Sequence, residues 1–333
     1  IYIYNIMKNK NNIFTMKNIV MFIIIFLIIR SQVYNNNIYG EQEAVNYIKM
    51  ILYYIKSNNK YNYNYILSDK YNIIQNNRLN IYFYIKKTVS FCNKKNLCLL
   101  LQKYNENNIC PKTYTFPEEY YKYEKECINK KMILKSNTNR QEGLFITSNI
   151  QSKNFISDEH MIIGQEYLSD CLRYKHHKLT FRIYLIVTCH KNNINTYIYN
   201  DGLVYYNNND DVDISSFYGS YDLYDQNYPV TITKLENEMG IKIMNKIVIK
   251  IKEFTDIIKK EQSSYYLNDK NYYNEVFGVD FHITNKFEVF MLEVNKTPGM
   301  DPYCTRDKNL RINMLKSYID IINNKKNDKI IKT

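Results

Sequence analysis

The chain has 333 residues, with 35 Tyr, no Trp and a net charge of +12, which is long enough for two or three packed subdomains and a sizeable core. The charge favours acidic partners, but the lysines are dispersed and form no arginine-rich block, which argues against nucleic acid. The seven cysteines contain no CxxC pair and the five histidines no HExxH spacing, so neither a disulfide framework nor a zinc hydrolase is expected.

Residues 1–40 read as a disordered or targeting segment. They include the apolar run Ile19–Ile29 between Lys17 and Arg30. At helical rise this run covers about 16 Å, short of the roughly 20 residues of a membrane span, so no stable membrane insertion is expected. It fits the core of a signal peptide after Met16-Lys17, or a buried strand or helix. Residues 41–109 read as an amino-terminal subdomain. It has a helix over 44–66 on the spacing Val45, Ile48, Ile51, Leu52, Ile55, a strand over 79–89 and a short helix over 96–104. The runs 61–65 and 207–211 read as loop insertions.

A second unit opens at Cys110–Glu119, a strand followed by Pro117 and two acidic residues that start a helix. Lys131–Lys135 is a compact strand ending in lysine. The polar loop Ser136–Gly143 and the strand Leu144–Thr147 follow, and the three together read either as a phosphate-covering lid or as a surface hairpin. Met161–Leu168 is a further strand. Leu179–Thr188 alternates, placing Thr180, Arg182, Tyr184 and Ile186 on one face. An arginine there is costly to bury unpaired, which points either to a structural salt bridge or to an anionic ligand. Asn195–Tyr206 supplies a partner strand with Asn200–Gly202 as its turn. Helices are predicted over 241–259 and 310–322, and the terminal lysines read as a solvated tail.

The most apolar stretch of the carboxy-terminal half, Val276–Gly299, reads as two strands joined at Asn285-Lys286. A two-residue turn there predicts that Val279, Phe281, Ile283, Phe290, Leu292 and Val294 share a buried face. Asp280, Met291, Glu293 and Asn295 then share the opposite one. Two carboxylates and an amide oxygen on one face suit a hard cation such as Mg²⁺; the alternative is a half-exposed hairpin with its polar side in water. Strands and helices mixed without strict alternation predict an α+β or α/β protein of successive subdomains.

Together these segments resemble the tubulin-tyrosine ligase and ligase-like family over roughly residues 90–325. Cys110–Glu119 is similar to the family's P-x-T-F/W/Y-x-L-P segment, Met132–Lys135 to its W-I-x-K strand, and Gln165–Leu168 to its Q-x-Y-L/I hinge. Lys178–Thr188 resembles K-F/W-D-I/L-R-x-Y/W-V/L-L-V, and Ile198–Val204 resembles Y-x-E/D-G-L/V-x-R. Phe277–Phe281 and Leu292–Asn295 resemble G-x-D-F/I/L and L-E/L-V-N at the family's spacing. Thr180 departs from the family's Asp, Glu166 from its Lys, and Tyr205 or Tyr206 from an Arg. Val230–Lys234 keeps only Thr233 of the polar positions in V-H-L-T-N.

The resemblance implies an α+β protein with an ATP-grasp fold. In it, 110–168 is a central nucleotide-lid subdomain and 169–325 a carboxy-terminal catalytic subdomain. It implies ATP-dependent joining of a free amino acid to the acidic tail of tubulin in the cytoplasm, beside the cytoskeleton. Asp280, Glu293 and Asn295 would hold Mg²⁺, with Glu293 and Arg182 catalytic. Lys135, Gln165, Tyr167, Leu168, Lys178 and Thr233 would hold ATP. The departures leave two alternatives: a catalytically silent module that binds tails or nucleotide, and an ATP-grasp ligase with another acceptor.

Overall fold

The computed structural model describes residues 84–333 apart from 138–142, 192, 208–222, 225, 267–270, 297, 301 and 323, together with three short strands before them. Those strands, β1 (Asn37–Tyr39), β2 (Asn64–Ile66) and β3 (Asn80–Tyr82), pair in parallel within a unit spanning Ile1–Tyr82. Residues 64–66, the end of the helix predicted over 44–66, are therefore strand. The rest of that prediction and the run Ile19–Ile29 lie outside the described residues.

The second unit, Phe83–Thr333, carries everything that follows. The strand predicted over 79–89 ends at Tyr82; Lys87 turns into the left-handed region at φ 56°, and a short helix α1 (Val89–Cys92) follows. Next comes α2 (Lys94–Lys103), whose N-cap Asn93 accepts from the Lys95 and Asn96 amides. Its apolar positions Leu97, Cys98, Leu100 and Leu101 are buried.

One antiparallel sheet has the order β4 (Thr113–Thr115), β7 (Met161–Glu166), β5 (Met132–Ser136), β6 (Leu144–Thr147). Met132 and Leu134 alternate into a core with Tyr114, Phe116, Tyr120 and Tyr123. The helix α3 (Tyr120–Glu126) supplies the last two and α4 (Lys153–Asp158) supplies Ile156. The other parity of β5 carries Ile133 and Lys135 to the opposite face. Gly164 is pinned beneath Phe116, whose ring would lie 2.9 Å from any added Cβ.

The larger sheet centres on β9 (His177–His190), flanked by β10 (Asn193–Tyr206) and β11 (Tyr272–Ile283), with β8 (Arg173–Tyr174), β12 (Val289–Lys296) and β13 (Ile330–Lys332) at its margins. Helix α5 (Ile232–Met239) precedes α6 (Met244–Gln262), which packs on β10 and β12 through Ile247, Ile251, Phe254 and Ile258. This spacing is that of one helical face. On that side Phe91 meets Phe254 and Phe277 edge to face, at 6.2 and 5.3 Å. Helix α7 (Thr305–Ile322) covers the other side, where Tyr318 donates to Asn274. Both faces of β9 are thus buried, and the predicted helices over 241–259 and 310–322 begin a few residues away from where they were placed.

Three local expectations are corrected. Asn200–Gly202 is not a turn but a bulge within β10, where the register passes from Ile198↔Leu185 to Gly202↔Ile183. The Asp201 carboxylate stabilises it by accepting from the Gly202 and Thr233 amides at 2.8 and 3.0 Å. The terminal lysines are not simply a solvated tail, because Ile330–Lys332 adds a strand to β10. The β11–β12 hairpin turns through 284–288, closed by Thr284–Glu288 and Phe287–Thr284 backbone bonds, rather than through Asn285-Lys286 alone.

That longer turn and a bulge at Leu292 reset the hairpin. Val279 opposes Val294 and Asp280 opposes Glu293, after which Phe281 opposes Met291 and His282 opposes Phe290. Met291 therefore joins the core, while Phe290 and Leu292, predicted to be core residues, are only partly buried on the face of His282. A one-residue slip exchanges faces beyond the bulge and leaves Asp280, Glu293 and Asn295 together.

Candidate active site

A small cleft of about 130 Å³, open to solvent, lies between the two sheets. The small sheet contributes Ile133, Lys135 and Gln165, and the segment Glu166–Leu168 forms one rim. The large sheet contributes Lys178, Leu179, Thr180, His282 and Leu292.

Arg182 and Asp280 stand opposite each other on β9 and β11. The guanidinium grips both carboxylate oxygens, Nε to Oδ1 and Nη2 to Oδ2, each at 2.7 Å. Its planar face lies over the Tyr205 ring, with 5.4 Å from Cζ to the centroid. Gly278 makes this possible, because an added Cβ there would come within 3.3 Å of Arg182 Cδ and Nε. Burial works against the charge of Arg182, but Asp280 keeps its pKa well above the ordinary value. The arginine predicted from alternation is thus satisfied by a salt bridge.

Glu293 faces Asp280 across the β11–β12 pair, and the Asn295 amide bridges the two. Its Nδ2 donates to Asp280 Oδ2 at 3.1 Å and to Glu293 Oε1 at 3.0 Å. Burial raises the Asp280 pKa and Glu293 adds to this, against the pull of Arg182. For Glu293 burial acts the same way, but the Lys135 charge and the Asn295 hydrogen bond outweigh it and the pKa is lowered. Burial lowers the Lys135 pKa, and its Nζ donates to Gln165 Oε1 at 2.7 Å. Gln165 in turn donates to Thr113, so the glutamine fixes the lysine head.

At the other end of the cleft, Lys178 Nζ donates to Tyr167 Oη at 3.0 Å, and Lys131 lies 4.3 Å over the Tyr167 ring. Leu168 completes the rim. The structure thus brings Lys135, Gln165, Tyr167, Leu168 and Lys178 to one cleft, whereas Asp280, Glu293, Asn295 and Arg182 form a separate cluster on the large sheet and do not line it. Thr233 stands apart: it is exposed in the first turn of α5, outside the cleft, its amide held by Asp201.

Sequence reasoning missed Ile133, His282 and Leu292 as cleft residues. It also missed Lys94, at the start of α2, whose charge reaches Glu293 and Lys135. The period of β5 contained the signal for Ile133. Nothing local marks Lys94, which comes to the site through tertiary packing.

The cluster can be tested against a hard cation. Asp280 and Glu293 bring two carboxylates together, and the Glu293 charge adds to burial in raising the Asp280 pKa; a cation would relieve that repulsion. The Arg182 fork occupies one direction on each Asp280 oxygen, and a carboxylate has about four lone-pair sites, so acceptor capacity is left over. Oxygen donors of this kind fit Mg²⁺. Among the described residues no group of three His, Cys, Asp or Glu side chains is placed to hold a metal ion, and the Asn295 amide presents its nitrogen, not its oxygen, to the two carboxylates.

The sequence profile of the tubulin-tyrosine ligase family matches residues 67–210 and 223–329. The chain belongs to the tubulin-tyrosine ligase family. Its mixed helices and antiparallel sheets are those of an α+β, ATP-grasp-type fold, and membership makes it part of a ligase family with nucleotide-binding architecture. No curated protein matches the chain. No described helix is long and apolar enough to cross a membrane, and all seven cysteines are free.

Proposed function

We propose that this tubulin-tyrosine ligase family member is an ATP-dependent ligase that joins an amino acid to a tubulin tail through an acyl phosphate. The observation that carries the reading is the convergence of Asp280, Glu293 and Asn295 beside Arg182, with Lys135 close enough to lower the Glu293 pKa. Residues 110–168 would act as the nucleotide lid and 169–325 as the catalytic part.

In this mechanism a substrate carboxylate attacks the γ-phosphorus of ATP, and ADP leaves. An amine then attacks the acyl carbon, phosphate leaves and an amide forms. Such chemistry depends on positioning and charge neutralisation. Lys135 and Lys178 neutralise phosphate oxygens, and the Gln165 contact holds Lys135 toward them. Arg182, whose Nε and Nη2 are held by Asp280, would turn its remaining donors to the acyl-phosphate centre or the acceptor carboxylate. Tyr167 and Leu168 frame the adenine. Asp280 and Glu293, with Asn295 beside them, would hold Mg²⁺, which would supply charge neutralisation for the phosphates. The net charge of +12 favours approach of a glutamate-rich tail, and work on such a tail would put the protein beside the cytoskeleton.

The test is incubation with tubulin, ATP, Mg²⁺ and each labelled amino acid in turn. Incorporation that disappears in Glu293→Gln supports the reading. A second reading, a binding module without turnover, is favoured by the hold of Arg182 on both Asp280 oxygens and by Thr180 in place of an acid. Mg-ATP binding by calorimetry without phosphate release on any tail peptide would select it.

A further inference from the structure

The β11 wall of the cleft carries one polar side chain that the ligase reading leaves unused. His282 lies on the same strand face as Asp280 and lines the cleft with Leu179, Leu292 and Lys178. Its Nε2 is buried and has no hydrogen-bond partner. The ring is hydrogen-bonded to the Asp170 backbone, and with Nε2 unpartnered that contact is made through Nδ1. A ring nitrogen facing a carbonyl oxygen carries the proton, so Nδ1 donates and Nε2 is left as an acceptor.

A buried acceptor without a partner is uncommon in native proteins and calls for an explanation. Leu179 and Leu292 line the same cleft, and an apolar side chain would serve equally well if the wall only had to be filled. A ligand bound in the cleft could supply the missing donor. Nucleotides offer two kinds of donor near a cleft wall: the exocyclic amine of the base and the hydroxyls of the ribose.

We propose that His282 Nε2 accepts a hydrogen bond from the base or ribose of the bound nucleotide, making His282 a specificity-determining residue of the cleft. The proposal rests on the nucleotide-binding part of the ligase reading and adds which side chain discriminates. It also distinguishes His282 from Lys135 and Lys178, whose ammonium groups answer to phosphate charge and not to the identity of the base or sugar.

The test is calorimetry on the full chain with Mg-ATP, with the triphosphate of purine riboside, which lacks the amine, and with 2′-deoxy-ATP and 3′-deoxy-ATP. For the unmodified chain, the analogue missing the recognised donor should bind about tenfold more weakly than ATP, the scale of one buried hydrogen bond. In His282→Leu that ratio should shrink about tenfold for this analogue alone, and His282→Gln, which retains an acceptor, should restore part of it. Should the leucine variant fail to fold, His282→Met provides the same comparison. Unchanged ratios for all three analogues would overturn the proposal and leave the ligase reading standing. If the unmodified chain binds no triphosphate, both fall.

Discussion

Gly278→Ala displaces the arginine of the site without touching a charge. An added Cβ would sit 3.0 Å from Pro298 Cβ and 3.3 Å from Arg182 Cδ and Nε, so those neighbours must retreat by a few tenths of an ångström. Gly278 does not occupy the left-handed region, and alanine there gains about 0.4–1 kcal/mol by narrowing the unfolded ensemble. Overpacking costs about 1–3 kcal/mol, so the net destabilisation should be about 1 kcal/mol. The chemistry is more sensitive than the fold. The Arg182 fork is fixed at 2.7 Å on both Asp280 oxygens, and a misplacement near 1 Å costs on the order of 100-fold in rate. A shift of a few tenths therefore predicts roughly a tenfold loss of kcat. The Kd for Mg-ATP should barely move, because Lys135, Tyr167 and Lys178 are untouched. Single-turnover incorporation of labelled amino acid, alongside calorimetry, separates the two quantities. An unchanged rate, or a loss confined to nucleotide binding, would refute the placement of Arg182 at the reacting centre.

Two further outcomes follow from burial and charge. Asp280→Ala leaves the Arg182 guanidinium, only 19% exposed in its side chain, without its counter-charge. The unfolding free energy from denaturant titration should fall by about 3–5 kcal/mol, and a change below 1 kcal/mol would show the pair to be energetically idle. Glu275 is buried, accepts from the Ile85 amide at 2.8 Å, and has the half-exposed Lys296 at 3.8 Å as its counter-ion. Burial pushes its pKa up to about 7 against the partial pull of Lys296. A carboxyl whose folded pKa is raised binds its proton more tightly when folded. Its contribution is therefore complete below the ordinary carboxyl range and is lost as pH rises through 7. Thermal midpoints should fall between pH 5 and pH 8, by an amount on the order of 3 kcal/mol in stability. Glu275→Gln should flatten the profile, and an equally steep profile in that variant would refute the assignment.

The parts of the site that were legible in the sequence are those fixed by strand period. Alternation in β9 put Arg182 on a defined face, and the spacing of Asp280, Glu293 and Asn295 put three polar groups on one side of a hairpin. Both arrangements survive in the structure because period 2 is a property of the backbone. The parts that were not legible depend on interruptions to that period. The bulge at Leu292 moved Met291 into the core and brought Leu292 to the cleft, and no residue type nearby announces it. Asn200-Asp-Gly202 carries turn chemistry, but the Asp201 carboxylate spends it on a bulge by bonding the Gly202 and Thr233 amides. The same contact fixes the Thr233 amide, and Thr233 does not line the cleft where the family resemblance placed it. Lys94 was invisible because a helix start reaches the carboxylates only through packing of distant segments.

The most direct measurement is transfer of a labelled amino acid to tubulin, with ATP and Mg²⁺, by the unmodified chain and by Glu293→Gln at equal folded concentration. The account predicts incorporation with stoichiometric ADP and phosphate from the unmodified chain, and a loss of at least about 100-fold in the variant, the scale of removing one transition-state-stabilising group. Incorporation undiminished by Glu293→Gln would contradict it.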